Sequence, residues 1–168
     1  MKNIFLFLLP LFFITSLSVS LVHAATWEWI DSDAETGYFF DSESIKYELN
    51  HDYLNRASSV DTNQITYWKK VVYTPEGAEK LVNLLNDENF YDVRSSKSLE
   101  TISLSDKTIT CYTVVFYDAR NEVIYSEDGA AFVHTIVPES WDELVLNTIR
   151  SYASAHKDLL MKNAYAND

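Results

Sequence analysis

One thiol, four imidazoles and 25 carboxylates are the groups in this sequence able to attack, relay a proton or hold a metal. Cys111 and His134 lie in neighbouring runs of strand formers, and Asp118 or Asp142 would be the partner that orients the imidazole in a thiol hydrolase. Only residue type supports that constellation. His51, His134 and His156 are far apart in sequence, with no H-E-x-x-H or other close ligand spacing. Asp31-Ser32-Asp33-Ala34-Glu35 alternates carboxylates as a calcium loop does. Counted from Asp31, however, the sixth position is Thr36 instead of glycine and the twelfth is Ser42 instead of glutamate. An acidic hairpin turn is the reading of that segment.

No G-x-S-x-G elbow, phosphate-cradling G-x-x-x-x-G-K-[ST] loop or dinucleotide fingerprint occurs in a chain with three glycines. No catalytic residue, metal ligand or cofactor site is assigned. Aromatics are the other candidates, at 14% of the chain. Trp27, Trp29, Tyr67 and Trp68 lie in runs of strand formers and suit an interface, because each joins a large apolar body to a polar tip. They are the candidate partner-binding residues.

Several elements must position them. Trp27 to Ile30 and Tyr38 to Asp41 flank the polar turn and predict a hairpin. Ser42 to Tyr47 reads as a helical turn or a third strand, and residues 48–63 as a polar loop. Gln64 to Tyr73 predicts a strand with Ile65, Tyr67, Lys69, Val71 and Tyr73 on one face and Trp68, Lys70 and Val72 on the other. Thr74-Pro75 starts a helix with a hydroxyl N-cap and proline at its first position, and Ala78, Leu81, Val82 and Leu85 form its apolar stripe.

Leu99 to Leu104 and Thr108 to Tyr117 flank the turn Ser105-Asp106-Lys107, and Val123 to Tyr125 and Ala130 to Val137 continue the meander. Ser140 and Glu143 predict a capping box before a last helix carrying Trp141, Leu144, Val145, Ile149 and Tyr152. The periodicity fades from about Ala153. The fold expected is α+β: an antiparallel sheet of about six to seven strands packed by a mid-chain helix and a C-terminal helix.

Residues 1–24 read as a cleavable secretory signal peptide. Lys2 supplies the positive start, Ile4 to Val22 is apolar or small apart from Pro10 and a few hydroxyls, and Val22-His23-Ala24 presents small residues for cleavage after Ala24. No integral membrane span is expected after cleavage, and residues 25–168 form a single exported domain at the cell surface, secreted or in a periplasm. The formal charge is −12, and loss of Lys2 with the leader makes it −13. So acidic a protein repels nucleic acid and anionic lipid. Cys111 is the only cysteine, so the fold holds by packing without an internal disulfide.

Trp29-Ile30, Tyr38-Phe39-Phe40-Asp41, Ser44-Ile45 and Ile65-Thr66-Tyr67-Trp68-Lys69-Lys70 come in an order that resembles the small exported bacterial domains grouped with surface-adhesin protein E. In those domains a tryptophan strand precedes an aromatic-Asp-x-x-Ser-Ile segment and then a Trp-x-Lys strand. Ile136-Val137-Pro138-Glu139-Ser140 resembles their closing Pro-x-Ser before the last helix. The resemblance implies an adhesin-like, non-catalytic binding module, with an unidentified protein or surface ligand as partner; no binding residue is carried over. Two other classes stay open: an envelope accessory protein that binds another envelope component, with Trp27 to Ile30 as a pairing edge, and a small hydrolase using carboxylates or Cys111.

Overall fold

The computed structural model describes residues 25–52, 54 and 57–166; the expected leader, with its cleavage position at Ala24, lies outside them. Seven strands run in chain order: β1 (Trp27–Ser32), β2 (Thr36–Asp41), β3 (Lys46–Asp52), β4 (Ala57–Tyr73), β5 (Val93–Ser103), β6 (Thr108–Asp118) and β7 (Val123–Thr135). Helix α1 (Pro75–Leu85) and a 3-10 turn at Glu88–Asp92 separate β4 from β5. Helices α2 (Trp141–Ala155) and α3 (Lys157–Tyr165) close the chain. The expected α+β class is found.

All strand pairs are antiparallel, in the order β1-β2-β4-β5-β6-β7, with β3 also on β4. This arrangement depends on the 17-residue length of β4. Its residues 69–73 pair with β2 and its residues 57–66 with β3, so two successive strands share one edge, while β5 takes the other. A bulge separates Tyr47, opposite Ile65, from Glu48, opposite Asp61. Beyond it the β3–β4 hairpin extends with most side chains exposed. The expected loop at 48–63 is thus largely strand: of its side chains the pair Leu49 and Val60 packs against the core, and most others are polar, leaving too little alternation to read.

One face of the sheet is covered. Val145, Leu146, Ile149 and Ala153 of α2 and Leu160 and Ala164 of α3 join Phe40, Ile45, Tyr47, Ile65, Ile102 and Ile109 in a continuous buried cluster. Removing such side chains from water is the main favourable term, roughly 1.5–3 kcal/mol for each. Edge-to-face contact of Phe40 with Tyr152, at 4.9 Å between ring centres, sets α2 against β2. Phe90 of the 3-10 turn packs on Phe116 of β6 at the same face's other end.

The helix boundaries follow local chemistry. Thr74 accepts a hydrogen bond from the Gly77 N–H and caps α1, as its sequence predicts. Ser140 accepts from the Glu143 N–H, yet the Glu143 carboxylate takes the Glu139 N–H in place of the Ser140 N–H, so the expected capping box is shifted by one residue. The chain breaks helical geometry at His156 (φ −121°) and resumes as α3, a helix that the faded periodicity after Ala153 did not predict. The two short strands expected at 123–125 and 130–137 are one strand, β7, with Gly129 at φ 82° inside it.

Candidate interaction face and groove

Because side chains alternate along a strand, β4 feeds two different environments. Its odd positions point into the covered face. Tyr67 is 0% exposed and donates its hydroxyl to Glu100 Oε2 at 2.8 Å. Glu100, 3% exposed, also accepts from Ser98 Oγ at 2.8 Å and meets Lys69 Nζ at 2.5 Å. Burial opposes the charge on Lys69, but the Glu100 carboxylate more than compensates and holds the ammonium above its ordinary range. Burial and the same carboxylate push the Tyr67 phenol well up, so it stays a neutral donor. Tyr67, expected among the partner-binding aromatics, is therefore a core residue serving this cluster.

The cluster floors a cleft of about 530 Å³ that also includes Tyr73, Ser96, Cys111, Phe116, Glu127 and Phe132. Burial, with Glu100 adding to it, raises the Cys111 thiol, and its sulfur donates to the Thr113 carbonyl at 3.6 Å. A thiol held protonated is a poor nucleophile. His134 Nε2 sits 3.0 Å from Asp142 Oδ2, so that half of the expected constellation forms. Asp118 is elsewhere, engaged with Arg120 and with the backbone N–H groups of Arg120 and Glu122.

The acidic segment at 31–35 is a hairpin turn. Asp33 accepts from the Glu35 and Thr36 N–H groups, which lower its pKa, and Glu35 pairs with Lys80 of α1. Among the described residues no three His, Cys, Asp or Glu side chains converge as a metal site. His51 lies on the exposed hairpin arm, and His156 stacks on Tyr152 at 4.1 Å.

The even positions of β4 form the other face, on which Trp27, Trp29 and Trp68 all lie. Trp29 is 60% exposed and stands opposite Phe39, which stands opposite Lys70, itself opposite Lys97. Lys70 Nζ and Lys97 Nζ lie 5.5 Å and 5.9 Å from the centre of the Trp27 ring, and Lys97 is also 5.2 Å from that of Tyr117. Each such contact is worth about 0.5–1 kcal/mol at an exposed site. Among the described residues neither lysine has a carboxylate at ion-pair distance. The face therefore presents aromatic rings and unneutralised cations on an acidic protein.

Next to this row the same face deepens into a groove of about 860 Å³ between the sheet and α3. Thr66, Trp68, Thr101 and Tyr112 floor it, and Lys46, Lys162 and Asn163 line its side. Thr66 and Thr101 hydroxyls are 2.5 Å apart. Asn163 Nδ2 donates to the Glu43 and Ile45 carbonyls, each at 2.9 Å, which ties α3 to the β2–β3 connection. Ser44 Oγ, also in the groove's lining, is buried without a hydrogen-bond partner among the described residues.

The parity of β4 had placed Lys70 on this face with Trp68, whereas Lys97 was missed. Tyr112 was missed too, because a bulge between Cys111 and Thr113 resets the alternation of β6. Lys162 and Asn163 had no signal, since α3 was not foreseen.

Three crystal structures of Haemophilus influenzae protein E are similar to this chain. Crystal form II is 12% identical over 76% of this chain and 96% of its own, with a TM-score of 0.41. The selenomethionine form is 13% identical over 76% and 92%, with a TM-score of 0.43. Protein E from a non-typeable strain is 12% identical over 83% and 89%, with a TM-score of 0.41. No family model matches the chain, and no curated protein matches it. So distant a likeness establishes neither membership of the protein E family nor any function.

Proposed function

We propose that this protein is an exported, non-catalytic binding module of the adhesin-like kind, and that its ligand lies on the open face of the sheet. One observation carries the reading: Trp27, Trp29 and Trp68 share the face opposite the main core, bordered by α3 only at the Trp68 groove, beside two lysines without carboxylate partners among the described residues. Core packing does not require large aromatics there, whereas interfaces favour them. Residues 1–24 act as the leader in this reading, with cleavage after Ala24, and residues 25–168 are the exported domain. Among the described residues no helix is long and apolar enough to cross a membrane.

Binding of the purified protein to host-cell extracellular matrix tests the face. Trp29→Ala and Trp68→Ala should abolish retention while leaving the melting temperature nearly unchanged. Retention equal to that of the parent protein would remove the open face from the function. Protease treatment of intact cells tests the location: cleavage is expected for an adhesin, and cleavage only after envelope disruption would make it a periplasmic protein.

A second reading has its own observation. Among the described residues strand β1 pairs only with β2, so its outer edge offers free backbone groups to an extended segment of another envelope component. Proline at Glu28 or Trp29 would block such pairing, and loss of envelope association in one of these variants alone would favour it.

A further inference from the structure

We propose that the groove between α3 and the open face is a saccharide site, taking an oligosaccharide that carries isolated carboxylates. This deepens the binding-module reading and rests on it. A sugar ring has an apolar C–H face and a rim of hydroxyls. The groove has the complement of both within one concavity. Trp68 and Tyr112, the latter 39% exposed, supply aromatic faces whose negative quadrupole attracts polarised C–H bonds. Around them the lining is hydroxyl and amide, from Gln64, Thr66 and Thr101.

The Thr66 and Thr101 hydroxyls satisfy each other, but an apolar peptide or acyl chain would bury the Gln64 amide and the Lys162 ammonium unpaired, which is unfavourable; a polyhydroxylated ligand would not. Both hydrogen bonds of the Asn163 amide use its nitrogen, so its carbonyl oxygen remains as an acceptor.

Charge sets the ligand's acidity. Lys162 has no carboxylate at ion-pair distance among the described residues, and Lys46 is 4.0 Å from Glu48. Those ammonium groups suit a carboxylate on the sugar. Dense polyanions are disfavoured, because the chain carries −12 overall and Glu43 and Glu48 also line the groove. At physiological salt, screening within about 8 Å lets the local lysine act on one carboxylate while a long run of charges is repelled.

Isothermal titration of the purified protein with three probes tests this: a hyaluronan octasaccharide, with a carboxylate on every second ring; cellohexaose, which is neutral; and a single-stranded DNA octamer. The hyaluronan fragment should bind best, cellohexaose more weakly, and the DNA not at all. Trp68→Ala should weaken both saccharides by about tenfold. Lys162→Gln should weaken hyaluronan by about threefold and leave cellohexaose unchanged. Both substitutions are at the surface of the groove, and a thermal melt checks that each variant is folded.

Failure of both saccharides to bind at millimolar concentration would overturn the proposal, as would binding indifferent to Trp68→Ala. DNA binding as tightly as hyaluronan would replace the sugar with a general polyanion. The matrix assay separates the two readings. Saccharide failure with matrix retention still lost in Trp29→Ala and Trp68→Ala would leave the open face standing with another ligand. Failure of both assays would remove the face as well.

Discussion

The two faces of the sheet treat polar groups in opposite ways. On the covered face Glu100 and Lys69 are packed among hydroxyls, and both carboxylate oxygens of Glu100 have donors. On the open face Lys70 and Lys97 rest half-buried over Trp27. Neighbouring residues of a single strand, Lys69 and Lys70, thus differ in role because one points at the buried Glu100 carboxylate and one does not. The covered charge is structural, since removing its partner would strand it in low dielectric. The open charges remain available to a ligand.

The largest effect should come from breaking the covered cluster. Glu100→Gln leaves the Lys69 ammonium without its carboxylate and is expected to destabilise the fold by about 3–5 kcal/mol, read by urea unfolding. A loss below about 1 kcal/mol would show that water reaches the pair and that the faces differ less than their geometry indicates.

Gly77→Ala strikes α1, beside the β1–β2 turn. An added Cβ would lie 2.3 Å from the Glu35 carbonyl oxygen, so α1 must move off the β1–β2 turn. Such overpacking should cost about 1–3 kcal/mol. Ser140→Ala removes the α2 cap for about 1 kcal/mol, again without touching the open face. Either variant should keep ligand binding at temperatures where it stays folded, and loss of binding in the folded state would mean that the faces are coupled.

A pH titration sharpens the contrast. Tyr67 and Lys69 both have raised values in the folded protein, against about 10 and 10.4 unfolded. Their contribution is therefore fully present below about pH 10 and is lost as pH rises through the folded values. The urea midpoint should fall above about pH 10, and Glu100→Gln should shrink the part due to Lys69. A midpoint that is flat to pH 11 would contradict the direction of both shifts. Smallest of all, Trp29→Ala on the open face should change stability by no more than about 0.5 kcal/mol. A large loss would make that tryptophan part of the packing.

Much of this contrast was legible before any fold was known. The alternation of β4 placed Tyr67 and Lys69 on one side and Trp68 and Lys70 on the other, and the structure keeps that division. What the alternation did not say was which side is covered. Tyr67 and Trp68 are adjacent and similar in size, so sequence treated them alike as interface candidates. Glu100 was likewise silent: its partner lies more than thirty positions earlier and meets it only through the register of β4 with β5. Residues 48–63 misled because Leu49 and Val60, the pair that packs on the core, are too few to make a detectable hydrophobic period.

By itself the sequence determined the α+β class, the alternation of β4, the Thr74 and Ser140 caps and the turn at Lys107, where the backbone is left-handed. All of these are set by interactions within a few residues, so a local pattern encodes them. Only the tertiary structure decided which sheet face the helices cover, which lysine is paired, and that α3 walls a groove over Trp68 and Tyr112. Those outcomes depend on contacts between residues distant in sequence, whose free energy is gained only when the whole sheet has formed.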